Sequence, residues 1–262
     1  MRQLLITSIL VLFSSAAFAQ DIVEETYPRG QLKVKGQVED DAKTGLWTSW
    51  YEDGVKMSEG TYLSGKRDGK WEEWYENGKK WSLAFFKDDV PHGRYEDFDM
   101  NGGKVEEGEM NMGIPNGAFK SWYNSNFLRS SGEFTDGHKT GKWTIHYENG
   151  NQASEGEYKF SKRVGQWETW HEGGKMKSRG VYFAGIPHGL WEYWHKDGAL
   201  QLKGEYVGGK KESEWTEWHD NGQMKSKGSY LNDVENGRWD YWNFDGSLDR
   251  EVEHVQKQPE GR

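Results

Sequence analysis

The chain contains no cysteine, which excludes a disulfide framework and a lipid-modified cysteine. It is also poor in aliphatic residues, since only 34% of its residues are hydrophobic and the mean hydropathy is −1.03. Its formal net charge is −9, and acidic and basic residues are interspersed without a basic stripe. That charge pattern disfavours nucleic-acid binding, because contact with phosphates needs clustered lysine and arginine side chains.

Long hydrophobic runs are absent apart from one near the N-terminus. Residues 4–13 form an apolar run behind the positively charged Arg2, and this run is shorter than the ~20 residues needed to cross a bilayer. An A-x-A cleavage motif follows at residues 17–19. We therefore expect a secretory signal peptide over residues 1–19, cleaved after Ala19, rather than an uncleaved anchor. The mature protein is then expected to be periplasmic or extracellular, with no transmembrane segment.

Aromatic residues and glycine are abundant, and they repeat with a period of 24 residues. The chain has 15 tryptophans and 34 glycines, a composition that argues against disorder because aromatic rings bury much apolar area per residue. Of the 15 tryptophans, only Trp81 lies outside two columns of this repeat. The first aromatic column is Trp47, Trp71, Tyr95, Phe119, Trp143, Trp167, Trp191, Trp215 and Trp239. The second aromatic column is Trp50, Trp74, Phe98, Trp122, His146, Trp170, Trp194, Trp218 and Trp242.

Two glycine columns follow the same period. The turn-glycine column is usually preceded by Asp or Asn, and its single exception is Asn126, a residue type that tolerates positive φ. Asp-Gly and Asn-Gly pairs are typical of hairpin turns. The strand-glycine column is Gly60, Gly108, Gly132, Gly156, Gly180, Gly204 and Gly228, each followed two residues later by a large side chain, with Ala84 in the missing position.

Each unit therefore reads as one β-hairpin. For one unit we predict a first strand from about Gly69 to Glu76, a turn at Asn77-Gly78 and a second strand to about Phe86. A two-residue turn places the first aromatic column opposite the strand-glycine column, so that each ring covers a glycine. A three-residue turn with a bulge shifts that pairing by one residue, and the sequence leaves both turns open. The two aromatic columns lie on opposite faces of a regular strand, unless a bulge brings them together.

We predict an all-β fold, an elongated and twisted antiparallel meander of about nine 24-residue hairpins, or roughly eighteen strands, in a single solenoid-like sheet. Residues 20–29 form a lead-in and residues 30–247 the repeat domain, whose first part is a partial repeat that could cap one edge. The charged residues 248–262 are expected to form a polar tail or an edge strand.

Units such as GKWEEWYENGKKWSLAFF, GQWETWHEGGKMKSRGVY and GRWDYWNFDGS resemble the MORN-like variant repeat. This resemblance covers residues 30 to 246 and implies one hairpin per repeat, in proteins that act as binding or scaffolding modules. One bacterial group with these repeats is labelled as antitoxins of toxin–antitoxin pairs, which fits poorly with export. The chain departs from the pattern at Ser213, His146 and Asp89, and the repeats around Phe98 and Ser213 are where we expect a bend or a local contact surface.

No residue pattern indicates an enzyme, a cofactor or a metal site. The sequence contains no G-x-S-x-G elbow, phosphate-binding loop or H-E-x-x-H helix. His171, His195 and His219 occupy equivalent positions that Tyr occupies in other repeats. These positions lie two strands apart, about 10 Å, so three imidazoles cannot bind one ion, and only adjacent ones could by tilting. We interpret them as aromatic-like histidines on a half-exposed face.

The first aromatic column is interpreted as core, because little else in the chain is apolar. The second column and the residue after it are more polar in their surroundings, and we predict that they form a binding surface for a protein partner or a surface polymer. Glycan or cell-envelope binding through exposed rings, toxin binding, and a hydrolase with paired carboxylates are the alternatives. The predicted surface comprises Trp50, Tyr51, Trp74, Tyr75, Trp122, Tyr123, Trp170, His171, Trp194, His195, Trp218 and His219.

Overall fold

A computed structural model describes residues 21–255 of the chain, and all regular structure in this range is β-strand. The expected signal peptide at residues 1–19 and residues 256–262 of the polar tail lie outside the described residues. The strands are β1 (Asp21–Thr26), β2 (Leu32–Glu39), β3 (Ala42–Trp50), β4 (Lys56–Leu63), β5 (Lys66–Trp74), β6 (Lys80–Lys87), β7 (Val90–Phe98), β8 (Lys104–Asn111), β9 (Ile114–Pro115), β10 (Gly117–Trp122), β11 (Leu128–Thr135), β12 (His138–His146), β13 (Gln152–Lys159), β14 (Lys162–Trp170), β15 (Met176–Phe183), β16 (Ile186–Trp194), β17 (Leu200–Val207), β18 (Lys210–Trp218), β19 (Met224–Leu231), β20 (Val234–Trp242) and β21 (Leu248–His254).

All strands belong to one open antiparallel sheet, in which neighbours in sequence are neighbours in space, as predicted. The single irregularity of order among the described strands is at β9 and β10, which both pair with β8 and replace one strand interrupted at Asn116. Nine hairpins supply eighteen strand positions, and this split together with β1 and β2 raises the number to 21. The segment after Gly246 continues as the edge strand β21, paired with β20.

The turns inside each repeat have three residues. In the first hairpin, Tyr51 N donates to Val55 O at 2.8 Å and Gly54 N donates to Tyr51 O at 2.9 Å. Gly54 has φ 87°, and the equivalent Asn126 has φ 64°, which confirms that Asn replaces glycine in this column at a left-handed position. Asp53 Oδ1 accepts a hydrogen bond from Val55 N at 3.0 Å, so the Asp or Asn before the glycine stabilises the turn.

A three-residue turn alone shifts the pairing of the two strands by one residue, and a bulge in the second strand restores it. Met57 has no partner on β3, so β4 carries one extra residue at a bulge between the turn and the strand centre. As a result Trp47 lies directly opposite Gly60. Both possibilities left open by the sequence thus occur together, the three-residue turn and the pairing of aromatic column with strand glycine.

The turns between repeats have two residues, both left-handed. Ser64 and Gly65 have φ 49° and 82°, the combination typical of a type I′ turn. Strand β5 therefore begins at Lys66 and not near Gly69, so the predicted start was wrong by three residues. The reason is that Gly69, at φ 86°, lies inside β5, where the pairing of β5 with β4 is interrupted, and not in the turn between the repeats.

The interruption at Gly69 recurs in every repeat. In β14, Trp167 pairs with Gly156 and Val164 pairs with Glu157, which leaves two residues of β14 without partners on β13. In each repeat, one residue at this interruption has positive φ. This kink-residue column is Gly45, Gly69, Gly93, Gly117, Gly141, Gly165, Gly189, Ser213 and Gly237, and it includes one non-glycine, Ser213, at φ 58°.

The core of this single sheet consists of first-column rings lying on the backbone of the preceding repeat. The Trp167 side chain is 1% exposed, and a Cβ added to Gly156 would lie only 2.3 Å from its ring. The sequence left open an arrangement with a ring over each strand glycine, and this arrangement occurs, but at most glycines the ring comes from the next hairpin and not from the glycine's own. Trp167 pairs with Gly180 across its hairpin, but its ring covers Gly156 on the other side, and Gly180 is covered by Trp191. Each tryptophan of the first column therefore closes the core of the repeat before it, whereas Gly108 is covered by Tyr95 of its own hairpin.

Candidate functional site

The sheet has two faces of different chemistry. The first-column face carries the first aromatic column, the strand glycines and the large residues after them. The second-column face carries the second aromatic column and rows of charged side chains. Trp71 lies over Gly60, on the first-column face. Trp74 lies near Lys56, which forms an ion pair with Glu59. Because Glu59 is adjacent to Gly60 in the strand, it points to the opposite face, and so does Trp74. The bulge lies in the partner strand, so it does not bring Trp71 and Trp74 together.

On the first-column face, each tryptophan is fixed by an indole hydrogen bond across the ladder interruption. Trp167 Nε1 donates to Glu157 O at 3.1 Å, and the Arg163 guanidinium lies 4.3 Å from the ring centroid. Tyr158 packs its ring against the indole at 5.0 Å in an edge-on geometry. The same bond to the preceding strand, ten residues back, is made by Trp47, Trp71, Trp143, Trp191, Trp215 and Trp239.

A row of side chains, half of them Ser or Thr, runs across the first-column face next to these rings, and we call it the central row. It begins with Ser49 and Ser58, whose hydroxyls are 2.6 Å apart, and Ser121 and Ser130 form a similar pair at 2.7 Å. Its members are Ser49, Ser58, Glu73, Ser82, Asp97, Glu106, Ser121, Ser130, Ile145, Ser154, Thr169, Ser178, Tyr193, Leu202, Glu217, Ser226, Tyr241 and Arg250.

On the second-column face, the predicted binding residues Trp50, Trp74, Trp122, Trp170, Trp194 and Trp218 are all half-buried. Cations lie over several of them: Lys56 Nζ is 5.0 Å from the Trp74 ring centroid, and the Arg179 guanidinium is 5.6 Å from that of Trp194. Arg179 also forms an ion pair with Glu192 at 2.7 Å. The rings thus lie among charged side chains and remain partly exposed to solvent.

The other predicted binding residues, which follow the second column, join each repeat to the next. Tyr51 Oη donates to the carbonyl of Trp74 at 2.8 Å, and His171 Nε2 makes the equivalent bond to the carbonyl of Trp194 at 2.8 Å. Because a carbonyl only accepts, Nε2 of His171 carries the proton. Tyr75, Tyr123, Tyr147, His195 and His219 make the same bond, and so does Tyr27 near the N-terminal edge.

Both Tyr and His can occupy this position because each carries a donor at the far end of an aromatic ring. The three histidines therefore join successive repeats in the same way as the tyrosines, which agrees with their interpretation as aromatic-like residues. Within residues 21–255, no group of three or more His, Cys, Asp or Glu side chains could hold a metal ion. The same residues contain no helix with the length and apolarity to cross a membrane.

The row of Tyr and His hydrogen bonds between repeats is interrupted at Asp99. A groove opens beside Asp99 on the first-column face. Asp99 Oδ1 accepts hydrogen bonds within its own turn, from Asn101 N at 2.7 Å and Gly103 N at 2.9 Å. The groove encloses about 540 Å³. Side chains that line it include Glu73, Tyr75, Trp81, Asp97, Met100 and Val105.

Trp81, which fits neither aromatic column, is the bulge residue of its repeat. It has no partner on β5, because Glu73 pairs with Ser82 and Trp74 pairs with Lys80. Its side chain is 48% exposed, and its ring centroid lies 6.0 Å from that of Tyr75. The bulge thus places an exposed indole at the rim of the groove.

Carboxylates of the central row give the groove a negative potential. Asp97 pairs directly with Glu106 across the ladder, and burial together with the charges of Glu106 and Glu73 raises the pKa of Asp97. Burial, together with the charges of Glu106 and Asp97, raises the pKa of Tyr95 to about 12. Within the described part of the chain, no cationic side chain comes within 4.0 Å of these three carboxylates.

Sequence reasoning missed this groove, although it lies in the repeat around Phe98 where a departure was expected. The signal lies in two columns of the sequence. Acids replace serine in the central row at Glu73 and Asp97, and the bulge column carries a tryptophan at position 81. The other departure, Ser213, keeps the left-handed backbone conformation of its column, at φ 58°.

Comparison with known proteins identifies the repeats. The MORN repeat variant matches six segments, 43–63, 67–88, 139–160, 163–183, 187–207 and 211–232. The stretch between the second and third segments holds Tyr95, Phe98, Asp99 and Phe119, and with it part of the groove. A search of curated protein sequences gave no match.

Solved structures with local similarity include "Crystal Structure of TcdB2-TccC3-Cdc42", 11% identical, covering 90% of this chain and 14% of that chain with a TM-score of 0.22. A second is "Crystal Structure of TcdB2-TccC3 without hypervariable C-terminal region", 10% identical, covering 89% of this chain and 13% of that one with a TM-score of 0.21. The chain thus spans about one seventh of the length of either structure.

Proposed function

Because the chain belongs to the MORN repeat variant family, we propose that it is an exported, non-enzymatic repeat protein that binds a protein partner through its sheet surface. The observation that carries the proposal is the second-column face. Six of the predicted tryptophans lie there half-buried at regular intervals, and hydrogen bonds between repeats fix the backbone that carries them. A surface ordered before binding loses little conformational entropy when a partner docks.

A binding role without catalysis is supported by how the charged groups are used. On the second-column face, Glu192 contacts both Arg179 at 2.7 Å and Lys203 at 3.2 Å, which lowers its pKa. Glu72 is held in the same way by Lys70 and Lys80, at 2.9 and 2.6 Å. Carboxylates that stay ionised in such pairs are suited to electrostatic recognition of a partner rather than to proton transfer.

Export is supported by the signal-like pattern of residues 1–19, with its apolar run and A-x-A motif. Expression of the full chain with a C-terminal tag, followed by fractionation, tests this part of the proposal. We expect a mature protein that begins at Gln20 in the periplasm or the medium. A full-length protein found only in the cytoplasm would contradict it.

Site-specific photo-crosslinking tests the binding role. A photoreactive phenylalanine analogue placed at Trp194 or Trp218 of the full chain, in its native host, is expected to give one discrete protein adduct. The matched control carries the same analogue at Glu148, in an exposed turn. Absence of an adduct from the second-column face, with the variants folded as judged by circular dichroism, would contradict the proposal.

A second candidate is glycan or cell-envelope binding, because half-exposed indole rings in a row also suit the faces of sugar rings. It is separated by sedimenting the protein with purified peptidoglycan. If the wild type sediments and folded Trp170→Ala and Trp194→Ala variants remain soluble, the ligand is a polymer and the protein-partner proposal is wrong.

A further inference from the structure

We propose that the groove at Trp81 binds the arginine or lysine side chain of a protein partner, between the Trp81 indole and the carboxylates of Glu73 and Asp97. This inference rests on the proposed function, because it names the chemistry by which one region of the sheet recognises a protein. It concerns the first-column face, and of the binding residues predicted from the sequence only Tyr75 lines the groove.

The strongest argument is a comparison between repeats of the same chain. Glu217 occupies the central-row position equivalent to Glu73 and Asp97, and its repeat carries Lys225 as the bulge residue. Lys225 Nζ lies 2.8 Å from Glu217 Oε1, so the bulge residue neutralises the acid of the central row. In the groove, the same bulge position is occupied by the neutral residue Trp81 and, one repeat later, by Val105. The acids are retained while the internal cation is missing.

The carboxylates of the groove are also arranged so that a cation would relieve their repulsion. Asp97 and Glu106 are direct cross-strand partners, a position in which like charges destabilise a sheet. Glu73 approaches from the other side, since Ser82 pairs with both Glu73 and Asp97. A cation placed among these groups therefore gains attraction from more than one carboxylate at once.

The other walls of the groove favour an organic cation over a metal ion. The exposed indole of Trp81 and the ring of Tyr75 offer aromatic faces to a guanidinium or an ammonium group. Met100, 62% exposed, and Val105 provide apolar contact for the methylene stem of Arg or Lys. A hard metal ion requires oxygen ligands on most sides, and these apolar side chains supply none.

The size of the groove fits a side chain presented by a polypeptide. A volume of about 540 Å³ lies in the range of pockets that hold small organic ligands, and it exceeds what a single inorganic ion needs. The groove also opens at the edge of three-residue turns, beside Asp99 and Met100, where a partner segment can approach from solvent.

The test titrates the intact protein, labelled with ¹⁵N at the tryptophan indoles, with three capped tripeptides that differ only in the central residue: Arg, Lys or citrulline. Citrulline keeps the shape of arginine without its charge. We expect the Trp81 indole signal, assigned by its loss in Trp81→Phe, to shift saturably with the Arg and Lys peptides. The citrulline peptide should bind at least tenfold more weakly.

Two variants and one matched control define the site. Trp81→Lys copies the Lys225 arrangement and should abolish peptide binding by occupying the groove with an internal cation; because this variant lacks the Trp81 signal, its binding is measured by isothermal titration calorimetry beside the wild type. Asp97→Asn should weaken binding about tenfold, followed through the Trp81 signal. Glu217→Gln removes the equivalent acid that is already neutralised, and should leave binding unchanged. Because each substituted side chain is at least partly exposed, a loss of fold is not expected, and melting curves check this.

Equal binding of the citrulline peptide, or unchanged binding in both Trp81→Lys and Asp97→Asn, would overturn the inference. Saturable Ca²⁺ binding at the same signals that excludes the peptides would overturn it as well. Failure here is distinguishable from failure of the proposed function: a photo-adduct at Trp194 that persists in Trp81→Lys leaves the binding role in place and removes only this groove from it.

Discussion

The repeats from β12 to β20 and the region from β6 to β10 share a backbone design but differ in how their cores are closed. In the first region, the first-column residues Trp143, Trp167, Trp191, Trp215 and Trp239 are between 1% and 4% exposed. In the second, Tyr95 and Phe119 replace tryptophan, Ala84 replaces a strand glycine, and one strand is interrupted at Asn116. The difference shows that one period can build either a closed core or an open groove.

Within a regular repeat, one substitution is compensated by another. Trp143 is covered by Lys139 at 4.1 Å, a contact that Pro187 cannot supply to Trp191. Instead Tyr193 stacks on Trp191, with ring centroids 5.8 Å apart. The ring that closes the core thus keeps a neighbour above it in the regular region.

The largest effect is expected when a side chain is added beneath a buried ring. Gly156→Ala places a Cβ 2.3 Å from the Trp167 ring and should destabilise the fold by about 3 kcal/mol, the upper end of overpacking costs. Gly108→Ala is the matched control in the groove region, where the nearest atoms are at the tip of Tyr95, at 2.8 Å, and can move. We expect about 1 kcal/mol there. Urea denaturation measures both, and equal costs would contradict the comparison.

A smaller effect is expected at the kink residues. Ser213 has φ 58°, a conformation that costs a residue with a Cβ about 1 kcal/mol relative to glycine. Ser213→Gly should therefore raise stability by about that amount, despite the greater entropy of the unfolded chain. The reverse change, Gly189→Ser at φ 69°, should lower it by a similar amount. Thermal unfolding checks the pair, and the same sign for both would refute this explanation.

The hydrogen-bond ladder between repeats is expected to contribute a comparable or slightly smaller energy per bond. Tyr147→Phe removes the donor to the Trp170 carbonyl, now 2.8 Å away, and should cost about 1 kcal/mol. His171→Tyr keeps a donor at the end of the ring and should change stability by less than about 0.5 kcal/mol. If the two substitutions have equal effects in urea denaturation, the bond is not what fixes this column.

The smallest effect is expected from the acids of the groove, and it depends on pH. The pKa of Asp97 is raised in the folded protein, so the folded state binds the proton more tightly than the unfolded state. Stability contributed by this carboxyl is therefore present below its unfolded pKa and lost as the pH rises through the folded pKa. Asp97→Asn should be more stable than the wild type at pH 7, by less than about 1 kcal/mol because the site is partly exposed. The difference should shrink at acidic pH, and a constant difference would contradict this assignment.

The sequence predicted the fold because one side-chain type is diagnostic at each repeated position. The Asp-Gly and Asn-Gly pairs predicted the turns, and Asn126 confirmed that positive φ, rather than absence of a side chain, is what the turn needs. The strand-glycine column predicted a ring over each glycine. It could not identify the repeat that supplies the ring, because Gly156 has a tryptophan partner on both sides, Trp143 and Trp167.

The groove could not be predicted from the period, because it depends on where a bulge directs a side chain. Met57, Trp81 and Lys225 occupy the same column, and only the register shows that this residue is unpaired and lies over the central row. Whether the second-column residues from Trp50 to His219 bind a partner remains a prediction. The structure gives the tyrosines and histidines among them a defined role in joining repeats.

Native-state hydrogen exchange tests most directly whether closure of each core by the next repeat sets local stability. If it does, backbone amides of β13 to β18 exchange most slowly, with opening free energies near that of global unfolding. Amides of β7 to β10, where tyrosine and phenylalanine replace the indole donor, exchange faster through local opening. Uniform protection along the sheet, or slower exchange in β7 to β10 than in β13 to β18, would contradict the account.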